Sequence, residues 1–235
     1  MRRATLPLLA CLASGCLLDV DAPDFSILTD FQFATSGEAW EPGVVDYPAA
    51  DEAAVGFLGD RRARPAESGA TDLALYLRGD NVSNDLFMYW SRRYTGLFPE
   101  QTYSVTVDLE YLSNASRDCT TGPGPVTWLK LGLTGVEPLR FLDQDSWYRL
   151  SLDKGQQGQG SATTVVLGDI RNNRAGCEAG APYTAWARQT LPEALVVRAS
   201  AEGTVWIIVG TESGFAGPHD VYLSRLRLRW RPIED

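Results

Sequence analysis

The sequence predicts an all-β protein, an antiparallel jelly-roll β-sandwich of about ten to twelve strands. Apolar and polar residues alternate with a period of two along most of the chain, which is typical of half-buried strands. No helical pattern is long enough to form the crossovers that a parallel sheet needs. Clusters of Gly, Pro, Asn and Asp separate the alternating segments and indicate turns.

Six segments carry the clearest strand patterns. In the segment 102–113, an apolar face from Tyr103 to Tyr111 opposes a polar face. Two of the six are apolar on both faces, which favours central positions in a sheet. Those two segments are 85–94 and 204–211, and the other four are 102–113, 127–135, 146–153 and 222–231. Weaker patterns occur at 27–34, 54–60, 72–79, 163–170, 183–190 and 194–199.

The composition is that of a single globular domain. The chain has 235 residues, of which 44% are hydrophobic and 22% charged, and these values argue against intrinsic disorder. We find no internal repeat and no low-complexity linker, so one domain is predicted over 25–235. The formal net charge of −9 opposes binding to a phosphate backbone, so no nucleic-acid partner is expected.

The amino terminus has the pattern of an export signal. Arg2 and Arg3 precede a short apolar stretch and three small residues, and this segment is too short to span a bilayer. Residues 13–16 (ASGC) resemble the lipobox of bacterial lipoproteins. The resemblance implies a signal peptide over 1–15, acylation of Cys16, a tether over 16–24 and a lipid anchor in the bacterial outer membrane. The alternative is an ordinary cleaved signal with a chance cysteine.

Two cysteines remain in the body of the chain. Cys119 and Cys177 both lie among turn-forming residues. Since an exported protein meets an oxidising compartment, we expect a disulfide between them. The chain-entropy model assigns about 4 kcal/mol to a loop of this length.

Three short motifs along the body resemble galactose-binding-like carbohydrate-binding modules. They are 31–40 (FQFATSGEAW), 96–107 (GLFPEQTYSVTV) and 221–228 (VYLSRLRL). The resemblance implies a jelly roll and a possible glycan partner. The stretch 77–89 (LRGDNVSNDLFMY) is similar to runs in uncharacterised bacterial exported proteins.

An aromatic and charged ligand site is predicted from the strand pattern. The leucines of 127–135 take the core side, which places Trp128 and Lys130 on the outer face. The same reasoning places three side chains of 146–153 outward. If the two strands are neighbours, they form one exposed sheet face that can stack on a sugar ring and bond to its hydroxyls. The predicted ligand-binding residues are Trp128, Lys130, Trp147, Arg149, Asp153 and Lys154. The alternative is that a loop covers these side chains and makes them a second core.

The polar loop 80–85 is a second candidate, because Asp80, Asn81, Ser83, Asn84 and Asp85 offer oxygens for a cation or for sugar hydroxyls. The alternative is that these side chains cap their own turn. The single histidine, His219, lies in a predicted turn, where a surface position is the simpler interpretation. No nucleotide or metal motif is present, so no cofactor is expected.

Three functions remain open from the sequence alone. The first is a lipid-anchored cell-envelope protein that binds carbohydrate or another envelope component. The second is a glycoside hydrolase or polysaccharide lyase on a jelly-roll scaffold, because 30 acidic residues offer many carboxylate pairs. The third is a structural subunit of an envelope assembly.

Overall fold

The computed structural model describes residues 25–37, 39–190 and 195–234. They form two antiparallel sheets stacked face to face, a jelly-roll β-sandwich, with a small third sheet over part of one outer face. The predicted signal peptide and tether, including Cys16, lie outside the described residues. Within the described residues, no helix has the length and apolar content to cross a bilayer.

One sheet has seven strands, and its strands are β1 (Ile27–Gln32), β4 (Leu58–Ala63), β5 (Leu73–Asn81), β7 (Thr102–Ser113), β12 (Thr184–Gln189), β13 (Leu195–Arg198) and β15 (Gly217–Ile233). Its order is β12-β7-β15-β5-β4, with β13 also paired to β7 and β1 paired to β15. The long β15 therefore pairs with three strands, β1, β5 and β7.

The second sheet has five strands in the order β11-β8-β14-β6-β2. They are β2 (Glu41–Val45), β6 (Leu86–Thr95), β8 (Thr127–Thr134), β11 (Thr164–Asp169) and β14 (Thr204–Ser213). The segments predicted to be central, now β6 and β14, both lie between two neighbours. Each is apolar on both faces because one face lines the main core and the other is covered by a further layer.

That further layer includes a sheet of three short strands, in the order β3-β10-β9. They are β3 (Tyr47–Pro48), β9 (Arg140–Leu142) and β10 (Trp147–Leu150). Leu150 and Leu152 pack on Phe87, Tyr89 and Ile208 of the five-stranded sheet. Gly132 makes this close approach possible, because a methyl group on its Cα would lie 2.6 Å from Leu152.

Helices are short. Within the part of the chain that the structure describes, the α-helices are α1 (Phe33–Ser36) and α2 (Glu52–Val55), and 3-10 turns occur at Ala49–Asp51, Ala66–Ser68 and Gly124–Val126. The weak strand predicted over 54–60 was wrong in its first half, where α2 ends, and β4 begins at Leu58. Burial of Val55 beneath this turn explains the apolar character that suggested a strand.

Candidate functional site: a cleft at the open edge of the sandwich

The predicted exposed face of Trp128, Lys130, Trp147 and Arg149 does not form, and that expectation was wrong. The first two residues lie on β8, which pairs with β11 and β14, whereas the other two lie on β10 of the small sheet. Jelly-roll connections separate consecutive strands in this way. The two-residue alternation therefore predicts which face of its strand a side chain takes, but not which strands lie side by side. Lys130 is the fully buried member of this set, whereas Trp128, Trp147 and Arg149 are half-buried. The second core is built from other residues.

Lys130 belongs to a buried ionic network rather than to a surface. Its side chain and that of Glu212 are both 0% exposed, and the two groups form an ion pair. The Lys130 ammonium also donates to the carbonyl oxygens of Lys154 at 2.8 Å and Gln159 at 3.0 Å. Burial lowers the pKa of Lys130, and the carboxylate of Glu212 opposes that effect. Lys130 thus fastens the loop 153–163 over the sheet.

Lys154 lies at the centre of the same network. Its ammonium is 2.5 Å from Glu212 Oε1 and 3.0 Å from Asp46 Oδ2. Burial alone would lower the pKa of Lys154, but the two carboxylates outweigh it and raise the pKa. Oxygens of Asp46, Asp85 and Glu212 lie within 4.8 Å of one another. The Lys154 ammonium supplies positive charge among them that a metal ion would otherwise supply.

The remaining predicted ligand residues surround this network. Arg149 bridges Asp46 Oδ1 at 2.9 Å and Asp143 Oδ2 at 3.1 Å, and its guanidinium stacks on Trp147. Asp153 is exposed, and its carbonyl accepts the hydroxyls of Ser161, Thr163 and Thr164. The Trp128 indole lies against Gly158 of the covering loop. The partners of these residues are other protein groups, and a ligand-binding role for them stays a prediction.

The polar loop 80–85 shows the capping arrangement. The side-chain oxygen of Asn81 accepts the backbone N–H groups of Ser83, Asp85 and Leu86 at 3.2–3.3 Å. Its amide nitrogen donates to the Ser213 carbonyl at 2.6 Å. Asp80 and Asn84 remain exposed at the surface. Asn81 thus supports the turn, and a ligand role for the loop stays a prediction.

His219 is buried, so the surface position expected from the sequence was wrong. It lies in β15 opposite Gly79 of β5 and is 5% exposed. Burial lowers the pKa of His219 to about 4, so the ring is neutral at pH 7.

A cleft of about 520 Å³ opens where the edges of the two large sheets meet. β11 is an edge strand of the five-stranded sheet, and β12 is an edge strand of the seven-stranded sheet. Trp186 and Arg188 share one face of β12, because alternate residues of a strand point the same way. Asp169 ends β11 opposite them. The cleft is lined by Arg117, Asp169, Arg171, Asn172, Asn173, Trp186 and Arg188.

One ion pair, between Arg188 and Asp169, joins the two edges across this cleft. The Arg188 guanidinium donates to the carbonyl oxygens of Asp169 at 3.1 Å and Arg171 at 2.9 Å, and to the Asp169 carboxylate at 3.3 Å. It passes over Gly168, whose φ of +129° lies in the region that favours glycine. Arg171 donates to Asp169 Oδ2 from Nη2 at 2.7 Å. These charged side chains form the floor of the cleft, and their mutual hydrogen bonds hold them in fixed positions.

The predicted disulfide is confirmed, since Cys119 and Cys177 are bonded. It links two loops behind one wall of the cleft. Arg171 Nη1 donates to the Cys119 carbonyl at 3.3 Å. The Tyr111 hydroxyl, from the core, donates to the Arg171 carbonyl at 2.7 Å. Burial raises the pKa of Tyr111 to about 12, so the hydroxyl keeps its proton. Asn172 is buried and donates to the Ser113 carbonyl at 2.7 Å.

Groups available to a ligand lie above this fixed floor. The Trp186 side chain is 38% exposed, the Arg117 side chain is 59% exposed, and Asn173 is exposed. A groove of about 420 Å³ elsewhere is different: its described lining has no aromatic side chain, and its Asp108 pairs with Arg227. Sequence reasoning missed Trp186, although its strand was predicted. The available signal was a Trp and an Arg two residues apart.

Comparisons with known proteins give similarity in fold only. No family model matches the chain, and no curated protein matches it. TmCBM27, a carbohydrate-binding module described for mannan recognition, is 12% identical, with 88% of this chain and 98% of that chain covered and a TM-score of 0.42. The xylan-binding CBM22-1 domain of Xyn10C from Paenibacillus barcinonensis is 12% identical, with 91% and 100% covered and a TM-score of 0.39.

A third similar structure is the enzymatically active domain of tailspike protein 4 of bacteriophage CBA120. It is 11% identical, with 86% of this chain covered and a TM-score of 0.36. The match covers 20% of that chain, so this chain spans about a fifth of its length. At such identities and scores the similarities assign no ligand and no activity to this chain.

Proposed function

We propose that this chain is a carbohydrate-binding protein whose ligand site is the cleft between β11 and β12. One observation carries the proposal: a partly exposed tryptophan lies in a cleft together with fixed polar and charged side chains. The indole face can stack on the apolar face of a sugar ring. The neighbouring guanidinium and amide groups can donate hydrogen bonds to sugar oxygens.

The geometry favours binding over catalysis. A glycosidase of the usual kind needs two carboxyl groups facing one another across the scissile bond. The described lining of the cleft contains a single carboxylate, Asp169, and both of its oxygens accept hydrogen bonds from arginine groups. A rigid floor of this kind suits recognition, because a preorganised site loses little entropy when a ligand binds.

The test is a glycan array probed with the full chain and with Trp186→Ala. We expect the native chain to bind a defined set of glycans and Trp186→Ala to lose that binding, because the stacking platform is removed. Phe98→Ala is the matched control, since Phe98 is an aromatic side chain exposed at 66% outside the cleft lining. Equal binding by native chain and Trp186→Ala, at equal melting temperatures, would refute the cleft as the site.

We further propose that the protein is exported and held in the outer membrane by acyl chains on Cys16. The support is the signal-like residues 1–15 and the lipobox-like ASGC. Several acyl chains give stable membrane attachment. Cys16→Ala should leave the membrane fraction after washing with high salt. Retention of that variant in the membrane fraction would contradict the anchor.

A further inference from the structure

We infer that the ligand of the cleft is an anionic saccharide, one that carries carboxylate or sulfate groups. The inference rests on the proposed function and specifies its ligand class. The described lining of the cleft holds three guanidinium groups, of Arg117, Arg171 and Arg188, against one carboxylate, that of Asp169. This local excess of positive charge occurs in a chain whose net charge is −9.

Asp169 has no capacity left for a ligand. Its Oδ2 accepts from Arg171 Nη2 at 2.7 Å and Nε at 3.2 Å. Its Oδ1 accepts from the Arg171 backbone N–H at 3.0 Å and from Arg188 Nη2 at 3.3 Å. A neutral sugar hydroxyl that needs an acceptor therefore competes with charge-assisted hydrogen bonds, which are stronger than neutral ones.

The cleft is consequently rich in donors and poor in acceptors. Guanidinium groups only donate hydrogen bonds, and their planar fork matches carboxylate and sulfate oxygens. Neutral sugars present hydroxyls that both donate and accept, whereas anionic substituents only accept. The ligand that complements this lining supplies the acceptors and the negative charge itself.

Arg117 is the group free to reorient toward such a ligand. Its Nε lies 3.4 Å from Asp118 Oδ1, and both side chains are more than half exposed, so solvent weakens their attraction. The other oxygen of Asp118 accepts the Gly176 backbone N–H at 2.7 Å. Arg174 and Glu178 form a neighbouring pair at 3.5 Å, which adds no net charge.

The test compares matched probes on the full chain by titration calorimetry. The probes are hexagalacturonate, its fully methyl-esterified form, a sulfated chondroitin hexasaccharide and its desulfated form, after an array of neutral and acidic glycans. We expect array hits among acidic glycans, and loss of binding when the charge of the probe is removed. Arg117→Gln should weaken binding about tenfold or more, as removal of a charged hydrogen bond does.

Arg198→Gln is the control, because Arg198 is similarly exposed and pairs with Glu100 outside the cleft. It should bind as the native chain does. Hits confined to neutral glycans that depend on Trp186 would overturn the anionic inference and leave carbohydrate binding standing. Absence of any hit, neutral or acidic, would overturn both.

Discussion

Two regions of this molecule pair basic side chains with carboxylates, but one is buried and the other is open to solvent. In the buried network, Lys130 and Lys154 contact Glu212 within a shell of loop carbonyls and carboxylates. In the edge cleft, arginines surround Asp169, but the cleft stays open to solvent beside Trp186. Both regions contain fully engaged carboxylates. The difference is access, because only the cleft leaves a cation and an aromatic face within reach of a ligand.

The comparison shows why charge and aromatic content alone did not point to the cleft. The chain has only two lysines, and both lie buried at the centre of one network. A flexible stem with a compact ammonium can reach carbonyls and carboxylates inside a packed layer. The planar guanidinium instead spans the two sheet edges at the cleft. Substitutions in the buried network should therefore lower mainly stability, whereas changes at the cleft should also lower glycan binding.

The largest expected effect is on the buried network. Glu212→Gln removes the charge that both lysines contact, and we expect a loss of about 3–5 kcal/mol in the free energy of unfolding, because buried charges lose their partner. Denaturant unfolding measures it. Glu110→Gln is the control, since its contacts with Arg225 and Arg227 are partly exposed and should contribute less than about 1 kcal/mol. Equal losses in the two variants would contradict a structural role for the network.

The next effect concerns the cleft wall. The double variant Cys119→Ser, Cys177→Ser should lose about 2–4 kcal/mol of stability, because the unfolded chain is no longer cross-linked. It should also bind glycan more weakly, since the disulfide holds the loops behind Arg171. Denaturant unfolding and the glycan array check the two parts. A variant that unfolds at a lower denaturant concentration yet binds glycan normally would show that the disulfide does not contribute to binding in the cleft.

The smallest effect is a pH dependence at the rim of the buried network. Burial, with Glu212 and Asp46 nearby and Lys154 opposing, raises the pKa of Asp85 to about 6. A raised carboxyl pKa means that the folded state binds the proton more tightly, so this contribution to stability is lost as the pH rises from about 4 to 6. Asp85→Asn should melt higher than the native chain at pH 7, by roughly 2–4 °C for each kcal/mol that ionisation of Asp85 costs, an estimate for domains of this size.

Thermal melting from pH 4 to 7 checks this prediction. The difference between Asp85→Asn and the native chain should be near zero at pH 4 and should grow through pH 6. The Asn amide oxygen can still accept the Gln156 side-chain N–H that Asp85 accepts at 2.7 Å. A difference that does not change with pH would contradict the raised pKa.

Much of the fold followed from sequence because the alternation of side chains between the two faces of a strand is a local property. The alternation in 102–113 predicted both the bounds of β7 and its core face. All twelve predicted segments overlap strands. Those not predicted are β2, β3 and β9 among the described residues. They are short or polar, and their pairing with distant strands, rather than their own pattern, makes them extended.

The candidate site was less predictable because it depends on which strands become neighbours. Trp128 and Trp147 were correctly placed away from the main core, but they do not share a face. Trp128 lies under the covering loop at Gly158, and Trp147 belongs to the small third sheet itself. Trp186 became available only because β12 is an edge strand, and edge position is set by the order of the whole sheet. The disulfide was predictable, since the predicted domain 25–235 contains two cysteines, which allow a single intramolecular pairing.

The position of β15 has a consequence for biosynthesis. β1 pairs with β15 through residues nearly 200 positions apart, such as Asp30 and Arg225, which lie 195 residues apart in the chain. A ribosome produces β1, β5 and β7 long before Gly217, and until then these strands lack the neighbour they share. Sheets closed by such distant contacts form slowly. The seven-stranded sheet can therefore close only when nearly all of the chain has been translated.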